Sequence, residues 1–287
     1  MTEAGSRRAS VPHESGAIAR LAINQATTRP QWSLRQAIEG YARTGIRGIA
    51  IWPDKLAECG IRDAVALLSD HGMTVTGYCR GRMFAAAEPL ERRRLMDENR
   101  RRLDEAAAIG ARCLVSVVGG LPAGSRDIAG ARERAREGLF DLLPHARAVG
   151  VPLGIEPIHP ARAADVCCIN TLAQANALCD TLGAGAGIVA DVYHIWWDPE
   201  LERELARARG RILAFHLSDW LAPSDDAPTG RGMMGDGVIE LAKIRRWVEA
   251  AGYDGYCEVE IVSPQDWWRR PPEEVVETCI ERFLTVC

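Results

Sequence analysis

Four apolar runs in this chain end on a residue that can bind a hard cation: Leu-Gly-Ile-Glu at Glu156, Gly-Ile-Val-Ala-Asp at Asp191, Ile-Leu-Ala-Phe-His at His216 and Cys-Glu-Val-Glu at Glu260. A charged group at the end of an apolar run is costly to bury unless it is paired or ligates a metal. Three carboxylates and one imidazole form an oxygen-rich donor set, which suits Mn²⁺, Mg²⁺ or Co²⁺ better than a thiolate-type zinc site would. The expectation is one divalent ion, with Mn²⁺ the leading choice and Mg²⁺, Co²⁺ and Zn²⁺ the alternatives. Four such residues from four successive runs point to one shared site, and hence to an enzyme.

Each residue also has a plainer reading. Glu156, held extended by the following Pro157, would serve equally as a rim carboxylate paired with an arginine. His216 alone would be a satisfied core histidine; the coincidence with three acidic strand ends makes it a ligand. His194, three residues after Asp191, reads as a donor to a substrate oxygen or as a capping histidine. Arg231 lies in Gly-Arg-Gly-Met-Met-Gly-Asp-Gly. It is either a guanidinium that closes on a polyol or ketone oxygen or a solvated loop residue. Glu258 shares a strand face with Glu260. Glu260 is nearer the rim and is the expected ligand, and Glu258 then needs a buried partner. Trp52, Trp196, Trp197, Trp220, Trp267 and Trp268 follow strand ends, and the chain has eight Trp against four Phe. Tryptophan offers flat apolar walls with one polar edge, so Trp52 and Trp220 are expected to face a sugar or aromatic ring.

The elements that position these residues alternate. Strands are expected over 19–24, 48–52, 74–79, 113–118, 152–156, 187–191, 212–217 and 255–261. Helices are expected over 33–44, 61–71, 89–109, 128–149, 171–182, 199–208, 241–251 and 272–284. Ser33 and Thr171 stand where N-caps belong, and glycines such as Gly110 and Gly150 stand just past helix ends. Eight strand–helix units predict an α/β fold, a single-domain (β/α)₈ TIM barrel, whose usual size is about 250 residues. The rival doubly wound sheet usually carries a Gly-rich phosphate turn, and the sequence has neither form of it. In a barrel the strand carboxyl ends converge on one rim, and alternation turns Glu156, Asp191, His216 and Glu260 towards a common centre. Residues 1–17 are expected to be a disordered tail and 18–287 the catalytic barrel. The long loop 222–237 would lie over the active face.

Composition narrows the partners. The chain has 287 residues, a net charge of −4 and 47% apolar residues, enough for a large core. It has no concentrated basic stripe of the kind that grips phosphate backbones, so no nucleic-acid partner is expected. No apolar stretch is long enough to cross a bilayer, so no membrane partner is expected either. The nine cysteines form no Cys-x-x-Cys pair, which reads as reduced thiols in a cytoplasmic protein.

Taken together, Ile-Glu-Pro at 155–157, Asp-Val-Tyr-His at 191–194, Phe-His-Leu-Ser-Asp at 215–219, the glycine-rich segment 230–237 and Gly-Tyr-Asp-Gly-Tyr-Cys-Glu-Val-Glu-Ile at 252–261 resemble the xylose-isomerase-like TIM barrels, the sugar phosphate isomerase/epimerase superfamily, over about residues 18–285. The ketose 3-epimerases of that superfamily imply that Glu156, Asp191, His216 and Glu260 hold one metal. They also imply that the two glutamates move protons on opposite faces of a substrate and that His194 and Arg231 contact its oxygens. A homo-oligomer is compatible with the family. The DNA-repair branch needs additional histidine ligands and an Asp-Arg-His triplet, where this chain has Gly230-Arg231-Gly232. The expected activity is therefore isomerisation or epimerisation of a sugar or sugar-like ketone through a metal-stabilised enediolate. A lyase or dehydratase acting on a keto-sugar, keto-inositol or keto-glycoside is the alternative, and a non-catalytic carbohydrate-binding barrel the remote one.

Overall fold

Short apolar runs of the kind that make strands buried on both faces close here into one barrel. The structure, a computed structural model, describes residues 16–81, 84, 86, 88–222 and 230–287. The barrel strands are β1 (Leu21–Asn24), β2 (Gly48–Ile51), β3 (Thr74–Gly81), β4 (Leu114–Ser116), β5 (Leu153–Ile155), β6 (Ala186–Asp191), β7 (Ile212–Leu217) and β10 (Cys257–Val259). They are hydrogen-bonded in the order β1-β10-β7-β6-β5-β4-β3-β2, and every pair is parallel. β8 (Asp219–Trp220) and β9 (Arg231–Gly232) form a two-stranded antiparallel ribbon on the rim. The expected tail lies outside the described residues as far as residue 15, as does the stretch 223–229 of the rim loop.

The helices are α1 (Leu34–Arg43), α2 (Pro53–Cys59), α3 (Ile61–Asp70), α4 (Pro89–Ala108), α5 (Ile128–Val149), α6 (Leu172–Leu182), α7 (Val192–Ile195), α8 (Leu201–Arg207), α9 (Leu241–Ala250) and α10 (Pro272–Thr285). Two short helices, α2 and α7, stand ahead of the expected ones, in stretches where the sequence predicts no helix. Gly60, with φ 83°, ends α2 and starts α3, a bend that suits a residue without Cβ. Between β6 and α8 the single turn α7 is capped by Asp191, whose side chain accepts from Tyr193 N–H. Ser33 and Gln36 form a reciprocal capping box at α1, and Thr171 caps α6, as their side-chain types lead one to expect.

Alternation along the strands separates two cores. Phe215, Leu217, Cys257, Val259 and Ile23 face outward and pack with the helices. The barrel interior holds a smaller set, Ala50, Cys79, Cys113, Val115, Val189 and Ala214. These short side chains leave room above them for the polar residues that follow. All nine cysteines are free thiols. Among the described residues no helix is long and apolar enough to cross a membrane.

Candidate metal centre and substrate pocket

Glu156 stands one residue past β5, Asp191 ends β6, His216 is the penultimate residue of β7 and Glu260 follows β10. Barrel register sets Asp191 beside His216 and His216 beside Glu258. Glu260 N–H donates to Leu217 O at 2.9 Å, which holds its side chain one layer nearer the rim. Each of Glu156, Asp191, His216 and Glu260 offers a ligand atom within 4.8 Å of those of the other three. Their exposures are 6, 0, 1 and 7%, so the cluster is a core feature and not a solvated acidic patch. His216 Nδ1 is 3.3 Å from Glu156 Oε1 and 3.4 Å from Glu260 Oε2.

These residues fit a divalent cation. Asp191 Oδ2 and both ring nitrogens of His216 are buried without a directed hydrogen bond, although Asp191 Oδ2 faces the Arg231 charge at 2.8 Å. Three carboxylate oxygens and one imidazole nitrogen converge, which is a donor set for a hard or borderline ion. The electrostatics shows the same strain. Burial opposes charge on His216, but Glu258, Glu156 and Glu260 around it raise its pKa well above the ordinary value. Burial also raises the Glu156 carboxyl, with His216 offsetting part of the rise. At Glu260 burial is outweighed by the Arg231 charge and by His216, which hold the carboxyl well below the usual range.

Arg231 is no solvated loop residue. It is 6% exposed, and its guanidinium lies 2.8 Å from Asp191 Oδ2 and 3.2 Å from Glu260 Oε2. The same group stacks over the Tyr193 ring at 4.8 Å and meets His194 Nε2 at 3.1 Å. Burial pushes the His194 imidazole down to about 4, so the ring is neutral at pH 7. A neutral ring whose Nε2 accepts from Arg231 carries its proton on Nδ1, and that Nδ1 has no partner among the described residues.

Glu156, His194, His216, Arg231, Glu260 and Trp52 line a cavity of about 40 Å³. Trp220 stands one ring back. It stacks on Tyr193 at 4.8 Å and on His159 at 4.8 Å, with Trp196 at 5.8 Å. Trp267 and Trp268 act at the seam behind β1, where Trp268 Nε1 donates to Ala26 O. His159 is a member of the aromatic wall that sequence reasoning misses; its position three residues past Glu156 is the one available signal.

Asp219 builds the ribbon that carries Arg231. Its carboxylate accepts from the backbone N–H groups of Trp220 (2.9 Å), Ile239 (3.0 Å) and Gly235 (2.9 Å), and Trp220 pairs with Arg231 across the ribbon. Gly237 passes so close that an added Cβ would sit 2.2 Å from Trp220 O. Asp219→Ala is expected to lose about 3 kcal/mol, since hydrogen bonds to a charged acceptor are each worth about 1.5–3 kcal/mol and water recovers part. Thermal melting checks the loss; an unchanged midpoint would show that the ribbon holds without this carboxylate.

Glu258 is buried beneath the cluster. It takes Asn24 Nδ2–H at 2.8 Å and Thr76 Oγ1–H at 2.5 Å, and its Oε1 faces His216 Nε2 at 3.3 Å. These are the buried partners that the sequence leaves unnamed.

Comparison with known proteins bears on this arrangement. A crystal structure of protein SMc04130 from Sinorhizobium meliloti 1021 is 50% identical and superposes with a TM-score of 0.93, covering 94% of this chain and 99% of that one. A structure of the IOLI protein with a zinc atom is 20% identical, has a TM-score of 0.81 and covers 93% of this chain and 97% of that one; at that identity it supports the fold. Fructoselysine 3-epimerase of Escherichia coli O157:H7 is 25% identical over 266 residues, 87% of this chain and 92% of the relative. The family model described as xylose isomerase-like TIM barrel matches residues 38–284, and with the closed eight-stranded parallel barrel this shows that the chain belongs to the xylose isomerase-like TIM barrel family.

Proposed function

We propose that this chain is a divalent-metal-dependent isomerase or epimerase of a sugar or sugar-like ketone. The observation that carries the reading is the buried convergence of Glu156, Asp191, His216 and Glu260 within 4.8 Å, beside a small cavity walled by Trp52. The resemblance to fructoselysine 3-epimerase supports a carbohydrate-like ketone as the substrate class. Glu156, Asp191, His216 and Glu260 would hold the ion; Mn²⁺ suits the three carboxylates, and the zinc of the IOLI structure keeps Zn²⁺ in play.

When bound, a divalent cation supplies Lewis acidity at a substrate carbonyl oxygen and so acidifies the neighbouring C–H. The protein's own groups do the rest. One glutamate, at its free carboxylate oxygen, takes the proton from the carbon next to the carbonyl. The other, as a carboxylic acid, delivers one to the opposite face. Return to the same carbon inverts it; return to the neighbouring carbon exchanges ketose and aldose. The Arg231 guanidinium and the His194 Nδ1–H donate to the oxygen on which negative charge develops, and fixed donors of this kind are worth most where water is excluded. Trp52 gives a flat face to the substrate, and the Tyr193–Trp220–His159 stack behind Arg231 helps to exclude water.

A panel of ketoses and keto-glycosides incubated in D₂O with Mn²⁺ tests the proposal. Deuterium should enter one carbon-bound position without change of composition. Loss of water or aglycone by mass would instead indicate elimination. No exchange in any compound, with the metal bound, would favour a binding protein.

A further inference from the structure

Glu258 is a buried carboxylate that the proposed chemistry does not use. It is 1% exposed and does not line the substrate cavity; its side chain reaches the opening at the other end of the barrel, beside Thr76 and Tyr256. Burying such a group is costly unless donors meet it. Two strands supply hydrogen bonds, from Asn24 at the end of β1 (2.8 Å) and Thr76 on β3 (2.5 Å), while His216 Nε2 on β7 lies within ion-pair reach at 3.3 Å without a directed hydrogen bond. The imidazole of His216 is thus set between two groups of carboxylates. Nδ1 faces Glu156 and Glu260 at 3.3 and 3.4 Å, while the one carboxylate that Nε2 meets among the described residues is Glu258.

We infer that Glu258 is the positioning residue of the metal centre: it takes the Nε2–H of His216, fixes the tautomer, and so turns the Nδ1 lone pair toward the ion. A ligating histidine needs an acceptor on its second nitrogen, and that acceptor sets ring orientation and basicity. Asn24 extends the support to the pocket wall. Its Oδ1 accepts from Trp52 Nε1 at 2.8 Å and from Ala26 N at 3.0 Å, which fixes the amide so that Nδ2 points at Glu258. One chain of contacts therefore runs from the indole at the cavity, through Asn24 and Glu258, to a metal ligand. The inference rests on the metal-site reading above.

The test loads wild type, Glu258→Gln and Thr76→Val with Co²⁺ alone. Affinity is read by competition with a chelator, and the ring N–H of His216 as an exchangeable, paramagnetically shifted proton resonance. Glu258→Gln should weaken Co²⁺ binding about 10–100-fold, the usual cost of losing such a partner, and speed the exchange of that proton with water. Thr76→Val leaves the carboxylate but removes one of its donors. It should show the same two changes at smaller size, and it carries the test should Glu258→Gln not fold. Wild-type protein that binds no Co²⁺ overturns the metal reading and this one with it. Tight wild-type binding with both variants equal to it, or weaker binding with the N–H exchange unchanged, overturns the role of Glu258 alone.

Discussion

Glu260→Gln is expected to lower turnover of the responsive substrate by 10²–10⁴-fold, the range that a positioned acid or base contributes, or roughly 3–5 kcal/mol of barrier. The amide keeps an oxygen for ligation and the volume of the side chain, but it cannot accept a proton from carbon. The folded structure should survive, because the backbone N–H of Glu260, just past β10, bonds Leu217 O without the side chain. The amide oxygen can still accept from Arg231, and Arg231 keeps its pairing with Asp191. Measuring metal content alongside deuterium exchange separates the two duties of the residue. Full metal occupancy with exchange lost is the expected result. Full activity would remove Glu260 from proton transfer, and Glu258 could not replace it, since it lies beneath the cluster with both oxygens engaged. Glu156 would then be left as the acid–base group.

The contrast between Glu258 and Glu260 also shows what the sequence can tell and what needs the closed barrel. Period-two alternation on β7 and β10 marks His216, Glu258 and Glu260 as inward, and the structure places Phe215, Leu217 and Val259 outward. Height along the strand is likewise readable, because position after the last apolar residue orders Glu260 above Glu258. The partners of Glu258 are not readable. Asn24 and Thr76 are 234 and 182 residues away along the chain, and only closure of β1 against β10 brings the first of them near. Glu156, Asp191, His216 and Glu260 show in the sequence because each interrupts an apolar run. His159 interrupts nothing: it lies in a loop between Ile158 and Pro160, with no period to set it apart. The burial of Arg231 is hidden for a related reason. Its glycine-rich surroundings read as an open loop, whereas Asp219 gathers three backbone N–H groups and ties the segment down as a ribbon. The helix count falls short at α2, a seven-residue helix that ends at Gly60 directly before the expected α3.

Arg231→Ala should damage both stability and catalysis, and the two losses should respond differently to metal. The guanidinium is within 2.8 and 3.2 Å of the carboxylates of Asp191 and Glu260, and both acids are buried. Removing one partner of a buried pair typically costs about 3–5 kcal/mol, because the remaining charge is left uncompensated. For a domain of this size that corresponds to a fall of roughly 10 °C in Tm. Added Mn²⁺ should recover more stability in the variant than in wild type, since the ion supplies the positive charge that the arginine no longer does. Catalysis should not recover. Loss of one fixed donor to a developing oxyanion commonly costs about 10²–10³-fold, and a cation already present in the active wild type cannot replace it. Arg231→Lys divides the two effects again: a point charge restores the melting temperature, but it lacks the planar fork that meets Asp191, Glu260 and His194 together, so kcat/KM stays depressed. An alanine variant with unchanged melting and unchanged kcat/KM would show that these contacts carry neither the cluster nor the reaction.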